Sequence, residues 1–176
     1  MTATNFPESL AFTLTAEGGF ADNPADPGGA TMKGVTLATF QKFVPGASVA
    51  DLRAIPDFAV SFIYWSGYWH VTHCDNLPSG VDLSVFDFAV NAGPGRSIEM
   101  LQQAVGAEAD GDLGPLSMAA IHEHAPLDIV NELAKLQTTY YQELPTFPTF
   151  GRGWISRTVA RSQAATKMAT QQGTSA

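Results

Sequence analysis

The chain predicts a mostly α-helical protein organised around one Gly/Pro-rich loop, with a short hairpin inside it as the sole candidate for strand structure. Three observations predict this. Apolar residues recur at helical spacing in successive segments, each bounded by a cap residue, a proline or a glycine. Strand-like alternation is absent outside Phe20–Val35. At 176 residues and 45% hydrophobic content the chain can bury a real core, as one domain or one domain with a small C-terminal lobe.

The first helix runs through ESLAFTLTAE, where Leu10, Ala11, Phe12 and Leu14 share a face. Gly18 and Gly19 are expected to stop it with positive φ. The loop from Glu17 to Thr36, EGGFADNPADPGGATMKGVT, holds five glycines and two prolines, Pro24 and Pro27. Thr36 can cap a helix through Leu37, Phe40 and Val44, which Pro45-Gly46 ends. Ser48 with Asp51 has the spacing of a capping box. Pro56 opens another helix, with Phe58, Phe62, Ile63 and Trp65 on its apolar side, leading into the aromatic-dense YWSGYWHVTHCDNLP.

Pro78-Ser79-Gly80 opens a helix that turns Val81, Val85, Phe88 and Ala89 inward, and Pro94 ends it. Pro94–Val105, Pro115–His124 and Pro126–Leu144 read as further helices, the last presenting Ile129, Leu133, Leu136 and Tyr140. PTFPTFGRG reads as a rigid aromatic linker, and Trp154 to about Ala169 as the final helix. In ADGDLGP, Asp110-Gly111 makes a turn and Pro115 suits the first helical position. Asp110 and Asp112 lack the rest of a calcium loop, so the turn reads as structural.

Composition limits the function. A net charge of −8 argues against nucleic acid as a partner. All 17 acidic residues precede Pro145, whereas Arg152, Arg157, Arg161 and Lys167 follow it with no acid among them. That basic C-terminal helix offers a contact to an anionic envelope, or else docks on the acidic body. No run of about 18 apolar residues is present to span a membrane. The N-terminus lacks the basic-then-apolar layout of a signal peptide, so synthesis in the cytoplasm is expected. Cys74, the single cysteine, excludes an internal disulfide and reads as a small packed residue. His70 and His73 are close, but nothing completes a zinc pattern. Neither metal nor cofactor is expected, and the chain is expected to be a monomer.

Two carboxylates in the loop carry the chemistry. Glu17, at the end of a helix, meets the negative end of the macrodipole, which disfavours ionisation as a general acid requires. Asp26, nine residues on in the polar turn ADPGG, is expected to stay ionised. Contrasting environments for two carboxyls point to an acid and a base. The plainer alternative is a charged helix end followed by a solvated Asp-Pro turn.

The run EGG, DPGGAT and KGVTLATF, continued by DLRAI, YWSGYW, LPSGVDLSVFDFAVNAGPGR, DGDLGP and LPTFPTFGRGW, resembles glycoside hydrolase family 108 lysozymes of bacteria and phages. The likeness covers roughly residues 8–165. It implies a lysozyme-like helical bundle with a catalytic region over 6–93 and a helical peptidoglycan-binding region over 94–170. It implies an endolysin-like N-acetylmuramidase, acting on bacterial peptidoglycan after release or delivery to the wall. The glutamate of EGG carries over to Glu17 as the catalytic acid. Asp26 and Thr31 are then candidates for the other catalytic groups. Thr31 stands five residues beyond Asp26, one fewer than the corresponding interval in phage lysozymes of the Glu–Asp–Thr type.

With that resemblance, Tyr68 or Trp69 becomes a candidate cleft wall, because aromatic faces stack on sugar rings, although aromatics at this spacing also form cores. Asp87 and Asn91, one helical turn apart, are candidates to line the cleft, or else they bond to local backbone. Asp87 is also the reserve second carboxylate. The alternatives to a hydrolase are a lytic transglycosylase, which leaves 1,6-anhydro ends, and a peptidoglycan-binding module without catalysis, which does not clear cell walls.

Overall fold

A computed structural model describes residues 5–22 and 29–171. In chain order the elements are α1 (Phe6–Ala16), β1 (Thr31–Met32), β2 (Val35–Thr36), α2 (Leu37–Phe43), α3 (Val49–Arg53), α4 (Asp57–Tyr64), α5 (Val81–Ala92), α6 (Pro94–Ala104), α7 (Pro115–Glu123), α8 (Pro126–Gln142) and α9 (Phe147–Gln171). A π-helical turn, Trp65–Trp69, continues α4, and a 3₁₀ turn covers Cys74–Asn76. The architecture is mostly α, as the periodicity predicts. Among the described residues no helix is long and apolar enough to cross a membrane.

Packing divides the chain into two compact units. One is Leu10–Gly67, and the other joins the residues up to Ser9 with those from Tyr68 onward. The expected division of function at residue 93 is therefore not where the packing divides.

In the unit Leu10–Gly67, local capping starts the helices. Thr36 Oγ1 accepts from the Thr39 amide at 3.0 Å and begins α2. Ser48 and Asp51 form the reciprocal box their spacing predicts: Ser48 Oγ accepts from Asp51 N at 3.2 Å, and Asp51 Oδ2 accepts from Ser48 N at 2.8 Å. α2 packs on β2 and α3 on β1. Val35, Phe40, Leu52, Val60, Ile63 and Tyr64 form the buried centre. The hairpin expected in the loop is present, with Thr31 opposite Thr36 and Met32 opposite Val35. Its two turn residues, Lys33 and Gly34, have φ of 50° and 75°. Two successive positive φ values are what a two-residue type I′ turn requires.

In the other unit α5 is the central helix. Every residue from Val81 to Ala89 is buried, Asp82, Ser84 and Asp87 included, so the polar side chains of this enclosed helix must find partners inside. α6, α8 and α9 all pack on it. Gly80, at φ +85°, lets α5 begin against α9, because a Cβ there would overlap the Ala165 carbonyl oxygen. The aromatic linker expected before α9 is instead its first turns. Pro148 is the second residue of the helix, where the amide it lacks has no intrahelical partner to lose. Phe147 folds its ring over Gly151, where a Cβ would stand 2.5 Å from the ring.

Two buried carboxylates fasten this unit. Asp87 on α5 is fully buried and bonds Arg157 Nη2 and Arg161 Nη1 of α9, each at 2.7 Å. Arg161 also donates to Gln137 Oε1 of α8. Burial works against the Asp87 charge, but hydrogen bonds and charge from Arg157 and Arg161 outweigh it and hold the carboxyl below the usual range. Asp82 accepts from Gly80 N at 2.8 Å, Leu83 N at 2.7 Å and Asn5 Nδ2 at 2.7 Å. Burial pushes Asp82 up to about 6, against these donors and with help from the like charge of Glu8.

Removing the Arg161 guanidinium takes from the buried Asp87 one of the two charges that clamp it. Arg161→Met should destabilise the fold by about 3–5 kcal/mol, read from urea unfolding; a loss below about 1 kcal/mol would show that the clamp contributes little. For Asp82 the folded carboxyl binds its proton more tightly than the unfolded one. Folding therefore takes up protons between pH 4 and 6, and stability from this group rises as pH falls through about 6. Urea midpoints of the wild type should climb from pH 7 to pH 5, and Asp82→Asn should flatten that slope.

Candidate functional site

Glu17 follows the last residue of α1 and is half-buried. Gly18 and Gly19 were expected in left-handed geometry, but neither has positive φ, and a Cβ on either would meet nothing within 4 Å. α1 ends there without a glycine-specific cap. What holds Glu17 is further along the chain. Gly34, in the hairpin turn, lies against its carboxyl: a Cβ at Gly34 would stand 2.8 Å from Glu17 Oε2 and would overlap the Tyr64 hydroxyl. Tyr64, buried on α4, donates that hydroxyl to the Lys33 carbonyl at 2.9 Å. Lys33 pairs with Asp57 at the start of α4. The turn is thus tied to α4 by its backbone and by a side chain, and its glycine forms one wall beside Glu17.

Thr31 lies on the same hairpin. Its backbone exchanges hydrogen bonds with Ala21 at 2.8 and 2.9 Å on one side, and it faces Thr36 on the other. The loop entering this ladder is held by Arg53, whose guanidinium sits 4.0 Å from the centre of the Phe20 ring. Asp26 lies outside the described residues.

The remaining candidates belong to the other unit, and two need correction. Trp69 is 1% exposed, packed 5.3 Å from Phe6 and 5.5 Å from Phe86 by ring centres, with Nε1 donating to Asp75 at 2.8 Å. It is a core residue, because its indole N–H finds a partner inside. Asp87 serves as neither cleft residue nor second carboxylate: a fully buried group clamped by two arginines has no surface to offer a sugar or a water. Asn91 is exposed and donates to the Asp87 carbonyl at 2.7 Å, the local backbone role. Tyr68 remains partly exposed. The basic tail is also reduced, since Arg157 and Arg161 turn to Asp87 and leave Arg152 and Lys167 exposed. Cys74 is buried, and burial raises its thiol well above the ordinary value, so it is no nucleophile. Among the described residues no three His, Cys, Asp or Glu side chains gather as metal ligands.

Sequence reading missed Gly34 and Tyr64 as parts of the site. Lys33-Gly34 carried a signal, since a glycine second in a two-residue turn marks a type I′ hairpin. Nothing local in the sequence links Tyr64 to Glu17.

With this geometry in place, comparison with known proteins decides the family. The model described as Glycosyl hydrolase 108 matches residues 10–93. Twelve solved chains match as well. One, titled "Structure of Brucella abortus SagA", is 37% identical, covers 94% of this chain and 95% of its own, and superposes with a TM-score of 0.84. The chain belongs to glycosyl hydrolase family 108. No curated protein matches it. This family-108 protein is accordingly a glycoside hydrolase of lysozyme-like, mostly helical fold, a peptidoglycan hydrolase in kind.

Gly34 is the position where a single methyl group should disturb the site most. Alanine at φ +75° costs about 1–2 kcal/mol in backbone strain alone, and its Cβ displaces Glu17 or Tyr64. Gly34→Ala should lower the melting temperature and cut clearing of purified cell walls by at least about tenfold, measured by turbidity at equal protein concentration.

Proposed function

We propose that this family-108 hydrolase is an N-acetylmuramidase, cutting the β-1,4 link between N-acetylmuramic acid and N-acetylglucosamine in the manner of an endolysin. The observation that carries the reading is the half-buried Glu17 carboxyl at the end of α1, walled by a turn whose glycine leaves it room. Glu17 acts as the general acid and gives its proton to the leaving glycosidic oxygen. Asp26 takes the second role, activating water or steadying the oxocarbenium-like transition state. The favoured course is inversion, which needs the two carboxyls about 6.5–9.5 Å apart so that water fits between. Thr31 supplies a hydroxyl near the attacking water. Residues 94–170 hold the enzyme on peptidoglycan, and the protein reaches its substrate after release or delivery to the wall.

Glu17→Gln tests this directly, because the amide keeps the shape of the carboxyl but has no proton to give. Lysis should fall by about 10²–10⁴-fold, while sedimentation with walls and the melting temperature stay near wild type. Lysis above about a tenth of wild type would remove Glu17 from the mechanism. Mass spectrometry of the wild-type digest should find reducing N-acetylmuramic acid ends. Ends with a 1,6-anhydro ring would make the enzyme a lytic transglycosylase instead.

A further inference from the structure

We propose that the groove between α6 and α8 holds the zwitterionic end of a peptidoglycan stem peptide, an amino group and a carboxylate on one carbon. The choice of peptidoglycan rests on the reading of this chain as a peptidoglycan hydrolase; the choice of a zwitterion rests on the groove. Arg96, Met100 and Gln103 line it from one face of α6, and Leu136, Tyr140 and Glu143 from one face of α8. Its volume is about 220 Å³, below the roughly 300–1,000 Å³ of pockets that enclose a whole ligand. It therefore suits the end of a larger molecule.

The charges decide which end. Arg96 lies in the first turn of α6, at the positive end of that helix's dipole, and no acidic residue shares the turn. Glu143 closes α8 at the negative end of its dipole, and no basic residue lies in the last turn. Each charge thus sits where its own helix disfavours it. Both are at the same end of the groove, since the Arg96 guanidinium carbon stands 4.9 Å over the ring of Tyr140, three residues before Glu143. Yet among the described residues neither Arg96 nor Glu143 is in an ion pair. A carboxylate beside Arg96 and the start of α6, with an ammonium beside Glu143 and the end of α8, satisfies both. A neutral sugar ring satisfies neither, and one face of the Tyr140 ring already carries the guanidinium. Glu99, the groove's third charge, lies against Gly111. Gln103, two turns along α6 from Arg96, lies where the amide bonds of the stem would pass.

The test uses the whole chain and stem fragments that contain no glycosidic bond. Backbone amide NMR shifts are followed as the tripeptide L-Ala-γ-D-Glu-diaminopimelate is added. Its last residue ends the side chain in an amino group and a carboxylate on one carbon. The control tripeptide ends in lysine, which keeps the side-chain ammonium and lacks that carboxylate. The diaminopimelate tripeptide should shift amides around Arg96, Gln103 and Glu143, and should bind at least about tenfold more tightly than the lysine one. Arg96→Gln and Glu143→Gln should each weaken it by about tenfold or more. Equal binding of the two tripeptides by wild type would overturn the proposal without recourse to a variant. So would shifts confined to other parts of the protein, or equal binding of free alanine, which has the zwitterion but no stem. Because the titration needs no cleavage, a wild type that clears no walls sinks the hydrolase reading alone, and the tripeptides still decide the groove.

Discussion

The buried Asp87 carboxylate is the constraint around which the larger unit is arranged. A charge with no exposed surface is tolerable only when paired and hydrogen-bonded. Arg157 and Arg161, one turn apart on α9, supply that pairing, and Gln137 of α8 engages the far side of Arg161. The network forces α5, α8 and α9 into one register. Around it, Phe88 meets Tyr141 edge to face, and Tyr141 stacks on Trp154 with ring centres 5.2 Å apart. The polar network specifies the arrangement, and the burial of apolar side chains, aliphatic and aromatic, supplies most of the favourable free energy.

In the unit Leu10–Gly67 the corresponding constraint is a backbone turn. Two consecutive residues in left-handed conformation close the hairpin, and one of them, Lys33, is not a glycine. Such conformations persist when the surroundings over-determine them, and they concentrate at functional sites. Here the surroundings are the Tyr64 hydroxyl on the Lys33 carbonyl and Asp57 on the Lys33 ammonium. The exposed ion pair adds little by itself; the buried phenol is the stronger tie. The turn then fills the space beside Glu17 with backbone alone, which permits a carboxyl to be held closely without a side chain crowding it.

The corrections share one physical cause. Trp69, Asp87 and the α9 arginines were each open to an outward and an inward reading, and residue type did not choose between them. A tryptophan can face a sugar or fill a core, and an aspartate can line a cleft or pair with arginine. The choice depends on partners distant in the chain, Phe6 and Phe86 for Trp69, and Arg157 and Arg161 for Asp87. The linker before α9 was misread for a local reason: Pro148 stands where a helix accepts proline.

By itself the sequence determined what depends on near neighbours. The Thr36 cap, the Ser48–Asp51 box, the helical periods and the glycine-dense loop all follow from interactions within a few residues, and so does the prediction of a mostly helical chain with Glu17 at a helix end. The motif run from EGG to the C-terminal aromatic segment was also enough to point to the family. Only the tertiary structure decided that Gly34 lies against Glu17 in a turn tied down by Tyr64, that Asp87 is a clamp, and that two of the four tail cations are inward. Those outcomes depend on burial and on contacts across tens of residues, which a linear pattern does not encode.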